Sequence, residues 1–337
     1  MFNKNKNWLI LTAISICLII SAYKLFPHTF PIVQLDLKMS KKDALERSSA
    51  ISENFNIGPN EKFQVTAFGL NQMEQNFIEL DNGGSSKFIE ILNGNYYMPY
   101  TWTVRHYMPN IVNEAWFKFT PSGDIYGFHE ILSDTTYIEN LNINDAKALA
   151  VNQSSQNWNV KIDQFSLVEE KQDKKPSGRI DYTFVYKLKD YELGEEGEYR
   201  LDLVVSGSKL TKVDRYIQIP ENFINKFKEM RSFNNTIAQI STYALILFYV
   251  LGGIIVGLFF LNKERWIIWK PAMYWALFVS VITMISGLNF LPLSWLSYDT
   301  AISSTTYITQ IIIFTLINGF ADFIIVLLSF VAAESLT

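Results

Sequence analysis

Residues 237–261 read IAQISTYALILFYVLGGIIVGLFFL, without one Asp, Glu, Lys or Arg. A bilayer core of roughly 30 Å needs about 20 apolar residues of helix, so this stretch by itself puts the chain in a membrane. Three more runs meet the same length: 8–26, 267–291 and 306–333. About two hundred residues of mixed polarity separate the first run from the second, which predicts one large domain outside the bilayer. The overall hydrophobic share of 49% is ordinary for a soluble protein. Its concentration in four runs carries the information.

The first run follows Lys4 and Lys6. Its apolar core exceeds the 7–15 residues usual for a signal peptide, Ser21-Ala22-Tyr23 matches an A-x-A cleavage site poorly, and Lys24 followed by Phe26-Pro27 suits the edge of an uncleaved anchor. Cys17 follows the large Ile16, so it reads as a membrane-buried thiol and not a lipid-modified one. As the only cysteine it excludes an internal disulfide, and the outer domain must be held by its core.

Lys and Arg in short loops favour the cytoplasmic side. Lys4 and Lys6 precede the first span, and Lys263, Arg265 and Lys270 lie between the second and third, whereas residues 292–304 contain neither residue type. All four spans then alternate, and residues 27–235 fall on the extracytoplasmic side of the membrane. That segment holds 23 Lys+Arg against 29 Asp+Glu, a net charge of −6, which argues against nucleic acid as a partner. Beyond the lipid bilayer itself, a peptide or protein is the partner to expect.

Within the outer segment, Ser40-Lys41-Lys42-Asp43 has the form of a helix cap ahead of Ala44, Leu45, Ser48 and Ile51. A similar start lies 104 residues later, at Ile143-Asn144 ahead of Ala148-Leu149. Phe117-Lys118-Phe119 before Ser122-Gly123, and Leu201-Asp202-Leu203 before Ser206-Gly207, each predict a strand, a glycine turn and a returning strand. Tyr182, Phe184, Tyr186 and Leu188 alternate with polar neighbours, as in a strand with one buried face. The expected fold class is therefore an α+β extracytoplasmic domain of two helix-on-antiparallel-sheet repeats, 27–138 and 139–235. An N-terminal anchor, 1–26, precedes it, and an α-helical multi-pass membrane region, 236–337, follows. Aromatic residues gather at 95–102 and again at Trp116-Phe117. They suit either a groove for an extended peptide or glycan, or packing between the two halves and at the membrane surface.

His106-Tyr107-Met108-Pro109-Asn110 and Glu195-Glu196-Gly197-Glu198-Tyr199-Arg200 spell H-x-x-x-N and E-E-x-x-x-R. Pro109 would break the helix the first needs, and Gly194 and Gly197 make the second a turn, so neither is assigned a catalytic or metal-binding role. Gly253-x-x-x-Gly257 predicts close packing of a neighbouring helix. In the fourth span, Asn318 and Asp322 share one helical face near mid-bilayer depth. A carboxylate there costs several kcal/mol unless paired or protonated, which marks a candidate polar site or a structural hydrogen bond to another helix.

The anchor, the segment Phe30-Pro31-Ile32-Val33-Gln34-Leu35-Asp36-Leu37 leading to Ser40, and a span closing on Ala332-Ala333-Glu334-Ser335-Leu336-Thr337 resemble one group. It is the N-terminal half of large bacterial CPBP-family proteins, intramembrane metalloproteases related to CAAX prenyl-protein endopeptidases. The resemblance implies a parent protein whose divalent metal, zinc, is held by motifs on transmembrane helices that would follow Thr337. None of those motifs occurs in the spans, so no catalytic, metal or cofactor residue is assigned within this chain. The expected function is the non-catalytic part of a membrane metalloendopeptidase, with an outer domain that selects or presents substrates. The alternatives are a membrane-anchored sensor or scaffold that binds a peptide or envelope component, and a transporter subunit using Asn318 and Asp322.

Overall fold

The structure, a computed structural model, describes residues 4–94, 97–189, 191, 193, 196–264 and 268–333. Helix α1 (Lys4–Thr29) carries the first apolar run, Trp8–Phe26, with none of that run buried against the rest of the chain. At α2 (Lys41–Phe55), the Asp43 N–H donates to the Ser40 hydroxyl at 3.2 Å and the Ser40 N–H donates to the Asp43 carboxylate at 2.9 Å. Two of the helix's unpaired N-terminal donors are thereby satisfied.

After α2 come β1 (Phe63–Leu70), the short helices α3 (Gln72–Asp81) and α4 (Gly84–Asn93), then β2 (Tyr100–Tyr107), β3 (Glu114–Phe119) and β4 (Ile125–Ile131). The second half runs α5 (Ile143–Asn157), β5 (Phe165–Lys174), β6 (Ile180–Leu188), β7 (Glu198–Ser206) and β8 (Lys209–Gln218). Each half is thus a capped helix followed by a four-stranded antiparallel meander. The meanders do not form separate sheets. They join edge to edge in the order β1-β2-β3-β4-β8-β7-β6-β5, with only Phe128↔Val213 and His129↔Lys212 in register across the β4–β8 seam.

The cap of α5 is Asn142, whose side chain accepts the Asp145 N–H at 3.0 Å, so the expected start at Asn144 is two residues late. Spacing the halves by 102 residues aligns Ala44, Ser48 and Ser52 of α2 with Ala146, Ala150 and Ser154 of α5, all buried. Small residues on this stripe let both helices lie close on one face of the sheet. There Val104, Phe117, Phe184, Leu201, Leu203 and Val205 form a core shared by both halves. Both expected hairpins form, β3–β4 and β7–β8, with Gly123 and Gly207 at φ of 102° and 63° in their turns.

Pro220 ends the sheet region and caps α6 (Glu221–Leu247). This helix continues through a π-helical segment, Phe248–Ile255, into α7 (Val256–Glu264). The membrane-length helix therefore starts well before the apolar run itself. Its first turns belong to the core of the sheet domain, where Phe223 packs edge-on to Phe77 with ring centroids 5.0 Å apart. The last two spans are α8 (Trp269–Ser294) and α9 (Ser304–Ala333). Among the described residues, four helical segments are long and apolar enough to cross a membrane, which fits a multi-pass protein associated with a lipid bilayer. Helices α8 and α9 pack through small residues: a Cβ on Gly287 would stand 2.7 Å from Thr315, and one on Gly319 would stand 2.4 Å from Met284. The Ser280 hydroxyl donates to the Gly319 carbonyl at 2.7 Å. At the far end Leu261, Ala272 and Val331 bring α7, α8 and α9 together, with Gly257 buried on α7.

Candidate functional site

A cleft of about 580 Å³ lies over the β4–β8 seam. Tyr126 of β4 and Arg215 of β8 lie side by side in its lining, with Tyr97, Lys161, Gln164 and Tyr199 around them. Arg215 is held by carbonyls: its guanidinium donates to the Tyr126 backbone oxygen, to Trp158 at 3.2 Å and to Asn159 at 3.1 Å. It also sits 5.0 Å above the Tyr126 ring. Among the described residues no carboxylate forms an ion pair with Arg215, so its positive charge is available to the cleft. Lys161 adds a second, and the single acid in the lining, Asp124, accepts a hydrogen bond from Ser122.

Below the cleft lies Glu74, 4% exposed, whose carboxylate accepts the Ile217 N–H at 3.0 Å. Burial pushes its pKa up to about 7, more than that hydrogen bond and Lys118 pull it down. Burial also pushes the Tyr126 hydroxyl, which accepts the Met98 N–H at 3.1 Å, up to about 12.

The aromatic cluster divides. Tyr97 and Met98 line the cleft, Tyr100 and Phe117 are core, and Trp116 is half-buried with the Arg105 guanidinium 5.1 Å from its ring. Asn95 and Tyr96 lie outside the described residues.

A second constellation joins the sheet to the membrane helices. Arg105 on β2 is 4% exposed and ion-paired with Glu114 of β3 at 2.5 Å. It also donates to the carbonyls of Trp295, Leu296 and Tyr298, at 3.2, 3.2 and 2.6 Å. These carbonyls belong to the turn that directly follows the C-terminal end of α8, where the helix dipole favours a cation. Val65, Tyr107, Trp295, Tyr298 and Tyr307 pack around the clasp, and the Asn110 N–H donates to the Thr300 carbonyl at 2.9 Å. The sheet and the α8–α9 turn therefore share one side of the spans.

His106 is wholly buried and faces α2. Gln64 donates to its Nε2 at 2.8 Å, Ser48 stands 2.9 Å away, and Phe117 lies against the ring. Burial drives its pKa down to about 3, which keeps it neutral. Asn110 of the H-x-x-x-N string falls in the turn after β2 with φ 63°, so no helix unites the pair. Arg200 of the other string lies on β7 and pairs with Glu198, while Glu195 lies outside the described residues. Asn318 is exposed on α9 and Asp322 half-buried, and neither side chain has a hydrogen bond or ion pair among the described residues. No group of three or more His, Cys, Asp or Glu suited to a metal occurs among the described residues.

Arg105, Arg215 and Glu74 were not singled out by the sequence reading. For Arg105 the signal available was a lone charge inside an otherwise uncharged strand, Tyr100-Thr-Trp-Thr-Val-Arg105-His-Tyr107, whereas Arg215 shares its strand with Lys209, Lys212 and Asp214, and Glu74 lies on the helix α3. Compared with known proteins, the chain matches no family model, no curated protein and no solved structure.

Proposed function

We propose that the chain is a membrane-anchored sensor or scaffold whose extracytoplasmic sheet domain binds an acidic peptide or envelope fragment over the β4–β8 seam. One observation carries this reading. Arg215, one of the two cations of the cleft, lies on β8, from which the chain passes through Ile219 and Pro220 directly into α6, so an occupant would touch the residue run that becomes a membrane span. The positive-inside pattern supports an extracytoplasmic position for this domain, and the matched stripes of α2 and α5 support duplication of one ancestral half. A carboxylate in the cleft would meet Arg215 and Lys161.

The test uses the full chain in lipid nanodiscs and a peptide carrying a free C-terminal carboxylate. Arg215→Gln should weaken its binding roughly 10- to 100-fold, the value of one charge-assisted hydrogen-bond set. Equal affinity in a variant with an unchanged unfolding midpoint sinks the reading.

A second reading rests on Asn318 and Asp322. Two unpaired polar side chains on an apolar span suit a partner helix, such as the zinc-bearing bundle of a CPBP-type metalloendopeptidase to which this chain would contribute the non-catalytic part. The same pair would serve a transporter subunit. Asp322→Asn separates these from a purely structural span, since only a functional carboxylate would lose activity without loss of expression.

A further inference from the structure

A second cavity, about 460 Å³, opens where the sheet meets the ends of the spans. Its upper wall is β1 and β2, through Phe63, Val65 and Tyr107, and its lower wall is the end of α8 and the start of α9, through Leu291, Trp295 and Ile308. The volume falls in the range of pockets for small ligands, roughly 300–1,000 Å³. Three features define the occupant. No acidic or basic side chain lines the cavity among the described residues. Gln64, one of its few polar groups, is committed to Ser49 at 2.6 Å and to His106 at 2.8 Å. A phosphate or a polar peptide would find nothing to pair with there, whereas a hydrocarbon chain needs no partner.

The cavity also lies where the apolar spans stop, so its lower wall is continuous with lipid-facing helix surface. At its rim the sheet exposes Phe63 at 56%, and the β2–β3 turn exposes Ile111 at 44% and Val112 at 57%, beside the Asn110–Thr300 contact that pins this turn to the α8–α9 loop. Contiguous exposed apolar side chains at such a position mark a membrane contact.

We infer that this cavity is a lipid site, occupied by the acyl chain of a phospholipid from the leaflet that surrounds the α8–α9 turn. The bound chain wedges between the Arg105 clasp and the bilayer, making the sheet's seat on the spans depend on lipid. The site is separate from the peptide cleft, and its test does not depend on any cleft ligand.

The test is photolabelling of the full chain in phosphatidylcholine nanodiscs doped with a phosphatidylcholine carrying a diazirine at mid-chain. Span residues will label in any case, so the diagnostic adducts are those on Phe63 and Tyr107, which belong to strands. Ile308→Trp, which fills the cavity, and Phe63→Asp, which places a charge at its rim, should each abolish the strand adducts, while Leu80→Ser at an exposed site on α3 should leave them. If one of the two variants fails to fold, the other decides. Adducts confined to the spans in the unaltered chain overturn the site. So do strand adducts that survive in a folded variant, or strand adducts that appear only when the labelled lipid is anionic phosphatidylglycerol.

Discussion

Two buried titratable side chains oppose each other in pH. Glu74 has a folded pKa of about 7 against 4.5 unperturbed, so its contribution is fully present below 4.5 and is lost as pH rises through 7. His106 has a folded pKa of about 3 against 6.5, so its contribution is fully present above 6.5 and is lost as pH falls through 3. Each slope amounts to about 1.4 kcal/mol per pH unit within its window. From 4.5 to 6.5 the two cancel, which leaves a plateau of stability with an acid limb owed to His106 and an alkaline limb owed to Glu74. Glu74→Gln keeps the acceptor for the Ile217 N–H and should flatten the alkaline limb in thermal melts between pH 6 and 7.5. A variant that melts with the unaltered limb would reassign the titration to another group.

Among the elements, the β4–β8 seam depends on Gly127. A Cβ there would stand 2.4 Å from the Val213 carbonyl, a backbone atom that can move only if the strands part. Gly127→Ala should cost about 1–3 kcal/mol, the usual cost of overpacking. Gly69→Ala in β1, with nothing within 4 Å of the added carbon, should cost little or stabilise. Chemical unfolding in detergent compares the two, and equal effects would deny the seam its tight approach. Local signals of this kind were legible to different degrees. The Ser40 cap was readable because its partner is three residues away. The Asn142 cap was displaced to Asn144 because the run Asn142-Ile143-Asn144-Asp145 offers two candidates, and only the first is joined to Asp145, at 2.6 Å. Strand alternation placed Tyr182 to Leu188 on a buried face, yet nothing local announces that β4 will pair with β8, some eighty residues away.

At the scale of the whole molecule, the spans were legible because a bilayer imposes a length and a composition that no other environment does. The outer residues that meet them were not, since the Arg105–Tyr298 contact joins positions almost two hundred residues apart and leaves no periodic trace. Topology is open to direct measurement. A cysteine at exposed Ser208, in the β7–β8 turn, introduced with Cys17→Ser, should react with an impermeant maleimide on intact cells. Protection there, with labelling only after lysis, would invert the assignment.

The two attachments to the membrane fall on opposite sides of the seam: α6 leaves from β8, and the clasp grips β2. Between them the sheet is continuous through only two registered positions, and the cleft sits over that narrow join. A change in lateral spacing between α6 and the α8–α9 pair would be felt across this join, where the Arg215 guanidinium donates to the Tyr126 carbonyl and lies over its ring. By reciprocity, an occupant of the proposed cleft that holds this contact fixed would also restrain how far apart those spans stand.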